Sequence, residues 1–185
     1  MTTAKTPSLP EYKEMFDSMS VNPVHNAEIA AAIQQIKNNQ KRYQGICDEV
    51  NPKIPWYSIG IVHYMECDCS FKEHIHNGDP LSARTVQVPA GRPIAGEPPF
   101  TWEESCIDWL NLKKWNKWQD WEPEDILARF ELNNGLGYRD YGIPTPYLWS
   151  YTNLYISGKY VSDNHFNSDA VSKEVGAAVL LKAFV

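Results

Sequence analysis

The chain has 185 residues, 43% of them hydrophobic, and a formal charge of −6. That length is enough for one sizeable core, and the acidic balance argues against a nucleic-acid binder, which normally carries a basic face. No apolar run approaches the roughly 18 residues needed to span a bilayer, and four cysteines are too few for a disulfide scaffold.

Residues 1–24 read as an irregular arm punctuated by Pro7, Pro10 and Pro23, with one domain expected over 25–185. A first helix is expected over 26–50, where Ile29, Ile33 and Ile36 recur at helical spacing behind Asn26 as N-cap. Pro55 suits the first turn of a second helix. Along it, Trp56, Ile59, Val62 and Met65 make an apolar stripe, and Glu66 emerges beside that stripe near the helix end. A carboxylate so placed is partly desolvated, which favours its protonated form.

The stretch 76–92 then reads as turns and short strands. Asn77-Gly78 is a tight-turn pair, Arg84 to Val88 suits a short strand, and a proline-rich loop follows. Thr101-Trp102-Glu103-Glu104 is a capping-box pattern that starts a helix running to about 117. Pro123 opens another, to about 132. Asn133 to Tyr160, rich in Gly, Asn, Tyr and Trp, reads as surface loops, and 168–184 as a last helix. The expected class is α+β, mainly α, with a small β-hairpin after the second helix.

Glycoside cleavage needs a proton delivered to a poor leaving group, and a nucleophile, either a held water or a carboxylate. Glu66 on a rigid helix suits the first role. Asp79, thirteen residues on in a polar turn, suits the second, and Thr85, six beyond that, can bond the same water. The competing readings are a solvated surface glutamate, a turn aspartate that caps local backbone, and an ordinary strand threonine. His63, Cys67, Cys69, His74 and His76 have zinc-ligand chemistry, but their one-residue gaps do not match paired CxxC spacing. His63 and His76 are expected in the active-site wall, the cysteines as packing residues, and no metal or cofactor is expected. Lys113, Lys114 and Lys117 form the densest basic cluster, read as a solvated helix face.

The order of a helix-end Glu, a turn Asp, and a Thr six residues later resembles the lysozyme superfamily, with spacing nearest the phage-type lysozymes. The blocks HNGDPLSARTVQVPAGRP, FTWEESCIDWL and NNGLGYRDYGIPTPYLWS also resemble bacterial and phage lysozyme-like proteins. The resemblance implies a lysozyme-like domain with its β-hairpin beside the active-site cleft. It implies Glu66 as general acid, with Asp79 and Thr85 positioning water. Read from the residues themselves, His63, His76, Arg84 and Asn134 are expected as substrate-binding residues, with Tyr138, Tyr147 and Trp149 of the aromatic-rich 133–160 segment as a sugar-binding wall; the alternatives are an Arg84–Asp79 ion pair and loop packing of the aromatic rings. The Glu-to-Asp interval is a few residues longer than in phage-type members, and Cys67 stands where lytic transglycosylases and goose-type lysozymes place Ser.

The expected activity is endolysin-like muramidase cleavage of peptidoglycan between N-acetylmuramic acid and N-acetylglucosamine. The glycan strand is the partner, with no nucleic acid and no membrane insertion. A lytic transglycosylase using Glu66 alone, and a non-catalytic or zinc-binding phage structural protein, are the alternatives. The N-terminus lacks an uninterrupted apolar core, so synthesis in the cytoplasm followed by release to the cell wall is expected.

Overall fold

The computed structural model describes residues 8–162 and 164–185. Helices dominate, and one two-stranded antiparallel sheet is present among the described residues. The chain divides into two units, one containing the described residues to Ile33 together with Glu122–Val185, the other Gln34–Trp121. No helix among the described residues is long and apolar enough to cross a membrane.

The second unit is built around α4 (Trp56–Cys67), whose central residues Ser58 to His63 are all buried. A helix apolar on all sides belongs in a core, and here α3 (Gln40–Val50) and α5 (Trp102–Leu112) enclose that core, with α3 packing on both. Gly60 permits the close approach, because a Cβ there would lie 2.7 Å from Ile36 Cγ2 and 3.0 Å from the Tyr43 ring. α4 ends at Asp68, which takes the left-handed conformation with φ 48° and returns its N–H to the carbonyls of His63 and Tyr64. α5 begins as its sequence predicts, with Thr101 Oγ1 accepting from Glu104 N while Glu104 bonds back to Thr101 N at 2.7 Å. It ends at Leu112, short of the expected 117, and a 3-10 turn Trp115–Lys117 follows.

The first unit contains α1 (Leu9–Ser18), α6 (Pro123–Asn134), α7 (Pro146–Trp149), β1 (Lys159–Ser162), β2 (His165–Asn167) and α8 (Ala177–Leu181). The stretch expected as an irregular arm is therefore partly helical. Ser8 and Glu11 close a capping box, and Pro10 falls within the first turn, where its missing N–H costs nothing. α1 is tied to α6 by a buried network in which Tyr12 Oη donates to Glu131 at 2.7 Å, and Arg139 grips the same carboxylate through Nε and Nη2 at 2.7 and 2.6 Å. α2 (Asn26–Asn38) carries the chain through the division point at 33/34. The single helix expected over 26–50 breaks at Asn39, whose φ of −107° and ψ of 9° are not helical. Its side-chain amide turns back to Gln35 O at 3.0 Å, the local competition that makes asparagine a helix breaker.

Two further expectations are corrected. The last helix covers only Ala177–Leu181, because Lys159–Ser162 pair with His165–Asn167 and 168–176 return towards 155–158, with Gly158 N bonded to Ala170 O and Ser172 N to Tyr155 Oη. The chain then passes so close to α7 that a Cβ on Gly176 would lie 2.2 Å from Leu148 O. The sheet is therefore this hairpin, with Lys159 opposite Asn167 and Tyr160 opposite Phe166, and not the one expected after α4. Between 71 and 92 the only pairing is an isolated bridge of Glu73 with Pro80. Side-chain oxygens capture the amides that a ladder would use, and Pro80 and Pro89 have none to offer.

Candidate functional site

Glu66 sits in the last turn of α4, half-buried, where the sequence pattern places it. The turn 74–79 passes its backbone. Gly78 holds φ 78°, and a Cβ there would come within 4.0 Å of Glu66 O. Asn77 N and Gly78 N both bond to His74 O, and His74 N to Asp79 O at 2.7 Å, so the turn is closed on itself. Half-buried Lys113, just past the end of α5, feels the Glu66 charge: burial lowers its pKa and Glu66 opposes that. Lys113 was expected on a solvated face and is the site neighbour that the sequence pattern did not signal.

Asp79 closes that turn, Thr85 follows in the loop after it, and both are engaged. Asp79 Oδ2 accepts from Val86 N at 2.8 Å, Gln87 N at 3.0 Å and Asn77 Nδ2 at 3.1 Å, while Oδ1 accepts from Gln87 Nε2 at 3.1 Å. The Gln87 and Val86 amides hold its pKa below the usual carboxylate value, which makes it a poor base. Thr85 Oγ1 donates to Pro89 O at 2.5 Å and accepts from Arg92 N at 2.9 Å. Its one proton is thus spent, and the residue is 3% exposed. Arg84 does not pair with Asp79. Its guanidinium donates to Pro93 O and to Gly96 O, reaches Glu97 at 3.5 Å and lies over the Phe100 ring.

The histidines are structural. His63 is fully buried against Phe71 and Trp102; its Nε2–H donates to Ser70 O and its Nδ1 accepts from Tyr43 Oη, both at 3.0 Å. Burial lowers its pKa to about 4, so the ring is neutral at pH 7. His74 Nε2 donates to Ala83 O at 2.9 Å and its Nδ1 meets Ser105 Oγ at 2.8 Å. His76 meets Ser105 through Nδ1 at 3.2 Å and Asp108 through Nε2 at 2.8 Å. Burial pushes the Cys67 thiol up to about 12 and Cys69 up to about 11, so neither is a thiolate at neutral pH. Among the described residues, no three His, Cys, Asp or Glu side chains converge as a metal-holding group.

The remaining predicted binding residues belong to the first unit and are described within it. Trp149 is 1% exposed and Tyr138 8%, so both are core residues there rather than wall. Tyr138 Oη accepts from Tyr160 N at 3.2 Å and its ring packs edge-on against Tyr160 and Phe166. Exposed Asn134 donates to Thr145 Oγ1 at 3.4 Å, and the half-buried Tyr147 bonds the same oxygen through its backbone N–H at 3.3 Å. Thr145, buried and unnoticed in the sequence, therefore organises both.

No protein-family model matches this sequence, no curated protein matches it, and no solved structure matches the fold.

Proposed function

We propose that the chain cleaves peptidoglycan glycan strands between N-acetylmuramic acid and N-acetylglucosamine, with Glu66 as general acid in a lysozyme-like site. The observation that carries this reading is the setting of Glu66: a half-buried carboxylate in the last turn of a buried helix, beside a glycine turn and a partly buried lysine. A rigid helix end holds the proton donor in one place, and partial burial strengthens its interaction with charge developing on the sugar.

Within this reading, the engagement of Asp79 and Thr85 favours the lytic-transglycosylase route over the water-holding muramidase. Asp79 already receives four hydrogen bonds, about its full capacity. In the single-acid route, Glu66 protonates the bridging oxygen and the glycosidic bond breaks. The resulting carboxylate then accepts the proton of the muramic acid 6-hydroxyl as that oxygen bonds to C1. One glycan chain leaves with a 1,6-anhydro end, and no water is consumed.

The test is release of soluble fragments from purified cell walls. Wild type should release them, and Glu66→Gln should lose about 10²- to 10⁴-fold, the usual contribution of a positioned acid. Equal release by both proteins removes Glu66 from the mechanism. Wall binding without fragment release by wild type favours the non-catalytic glycan-binding alternative.

A further inference from the structure

The first unit holds a pocket of about 570 Å³, lined by Asn22, by the start of α2 and by the 150–156 and 171–173 segments. That volume lies in the roughly 300–1,000 Å³ range of small-molecule sites. None of the lining residues belongs to the second unit, which carries Glu66.

Tyr151 is the unusual residue of this pocket. It is buried and holds φ 68°, in the left-handed region that a bulky side chain rarely enters. Such strain persists only where the surroundings enforce it, and it gathers at ligand sites. The enforcing contacts are visible. Asn22 N donates to Tyr151 O at 2.8 Å, and Tyr151 Oη lies between Glu28 Oε1, at 2.8 Å, and Lys173 O. The Tyr151 ring lies flat on His25, with centroids 3.6 Å apart and planes 3° from parallel, and His25 Nδ1 is 3.4 Å from Glu28 Oε2. Ser150 also lines the pocket, and its buried Oγ has no hydrogen-bond partner within the protein, a condition that native structures seldom tolerate.

The lining defines the chemistry of a ligand. Its permanent charges are one of each sign, Glu28 and Lys173, so it matches a neutral molecule better than an ion. The Glu28 carboxylate only accepts hydrogen bonds. Lys173 Nζ only donates, and so does Asn22 Nδ2, since Asn22 Oδ1 is taken by Val24 N at 3.2 Å. A ligand that suits all three must donate and accept from neighbouring positions, as vicinal hydroxyls do. Ile156 and Val171, 84% and 54% exposed, add an apolar edge that fits the C–H face of a pyranose.

We propose that this pocket binds a neutral sugar ring. Glu28 and Asn22 take its hydroxyls, Ile156 and Val171 pack on its C–H face, and half-buried His25 offers the ring face that Tyr151 does not cover. The strained Tyr151 holds His25 and Glu28 in place for that contact. The proposal rests on the first unit alone and not on the glycan-cleaving reading of Glu66.

The test is ¹H–¹⁵N NMR of the full-length chain titrated with the N-acetylglucosamine trimer, with cellotriose, and with triglycine as a neutral ligand that lacks vicinal hydroxyls. At least one trisaccharide should shift the Tyr151, Thr152 and Ser172 amides saturably, and triglycine should bind there more weakly or not at all. Glu28→Ala, at an exposed position of α2, should weaken the sugar at least about 10-fold, the cost of losing a hydrogen bond to a charged group. Ile156→Asp, at a side chain already in solvent, should weaken it while leaving the rest of the spectrum in place. The absence of saturable shifts at these amides with both sugars overturns the proposal. So does triglycine binding as tight as theirs, or an unchanged affinity in either variant. Fragment release from purified walls separates the two ideas. Pocket shifts in a chain that releases no fragments keep the sugar site and remove the glycan-cleaving reading, while release without pocket shifts does the reverse.

Discussion

At the residue scale, the same carboxylate chemistry serves opposite purposes at Glu66 and Asp79. Asp79 is an organiser: its oxygens replace the ladder that residues 84–88 do not form. Asp79→Asn keeps the shape but removes the charge that Val86 N and Gln87 N donate to. It should lower Tm while leaving most wall-cleaving activity, measured by calorimetry and fragment release; loss of cleavage matching that of Glu66→Gln would restore Asp79 to the mechanism. Because its folded pKa is depressed, Asp79 contributes stability above the unfolded carboxylate pKa, and that contribution is lost as pH falls through the lower folded value. The buried histidines act in a higher window. His63 and His76 have folded pKa values of about 4 against an ordinary 6.5, so the unfolded chain binds more protons between those values. Stability should therefore fall as pH drops from 6.5 to 4, by roughly 3 kcal/mol per histidine, and urea midpoints across that range will show it. Lys113 offers a separate check. Removing a cation that interacts with Glu66 disfavours the carboxylate, so Lys113→Met should move the alkaline limb of the activity profile, where the general acid loses its proton, to higher pH.

At the element scale, helix placement was legible where local chemistry is strong. The Thr101–Glu104 box, Pro123 and the apolar run of α4 all act within a turn or two of themselves, and all three helices form there. The failures share one cause, which is that distant partners decide. α1 is short and exposed on one face, and its burial depends on Glu131 and Arg139, more than a hundred residues away. The 168–176 segment has apolar residues at helical spacing, but Tyr155 and Gly158 take its backbone bonds. The 84–88 stretch has strand composition, yet Asp79 and Thr85 capture its amides and those around it. Two substitutions test these assignments. Gly60→Ala forces a methyl against Ile36 and Tyr43 and should cost about 1–3 kcal/mol of stability. Glu131→Gln leaves Arg139 without its counter-charge and should cost about 3 kcal/mol. Denaturant unfolding measures both, and a change within experimental error for either would contradict the packing described.

At the scale of the whole molecule, the functional argument narrows to one carboxylate. The position of Glu66 was readable from the sequence because it depends only on helix phase and helix end. The partners of Glu66 were not, since Lys113 and the Ser105–Asp108 pair meet the 66–79 segment only through the fold. The aromatic wall expected from Tyr138 and Trp149 was read from composition, and composition does not distinguish a core ring from an exposed one. The measurement that bears most directly on the central claim is mass spectrometry of purified walls digested by wild type and by Glu66→Gln. The account predicts muramic acid ends in the 1,6-anhydro form from wild type and none above background from the variant. Equal fragment release by the two proteins would contradict it, and reducing muramic acid ends would return the mechanism to a held water.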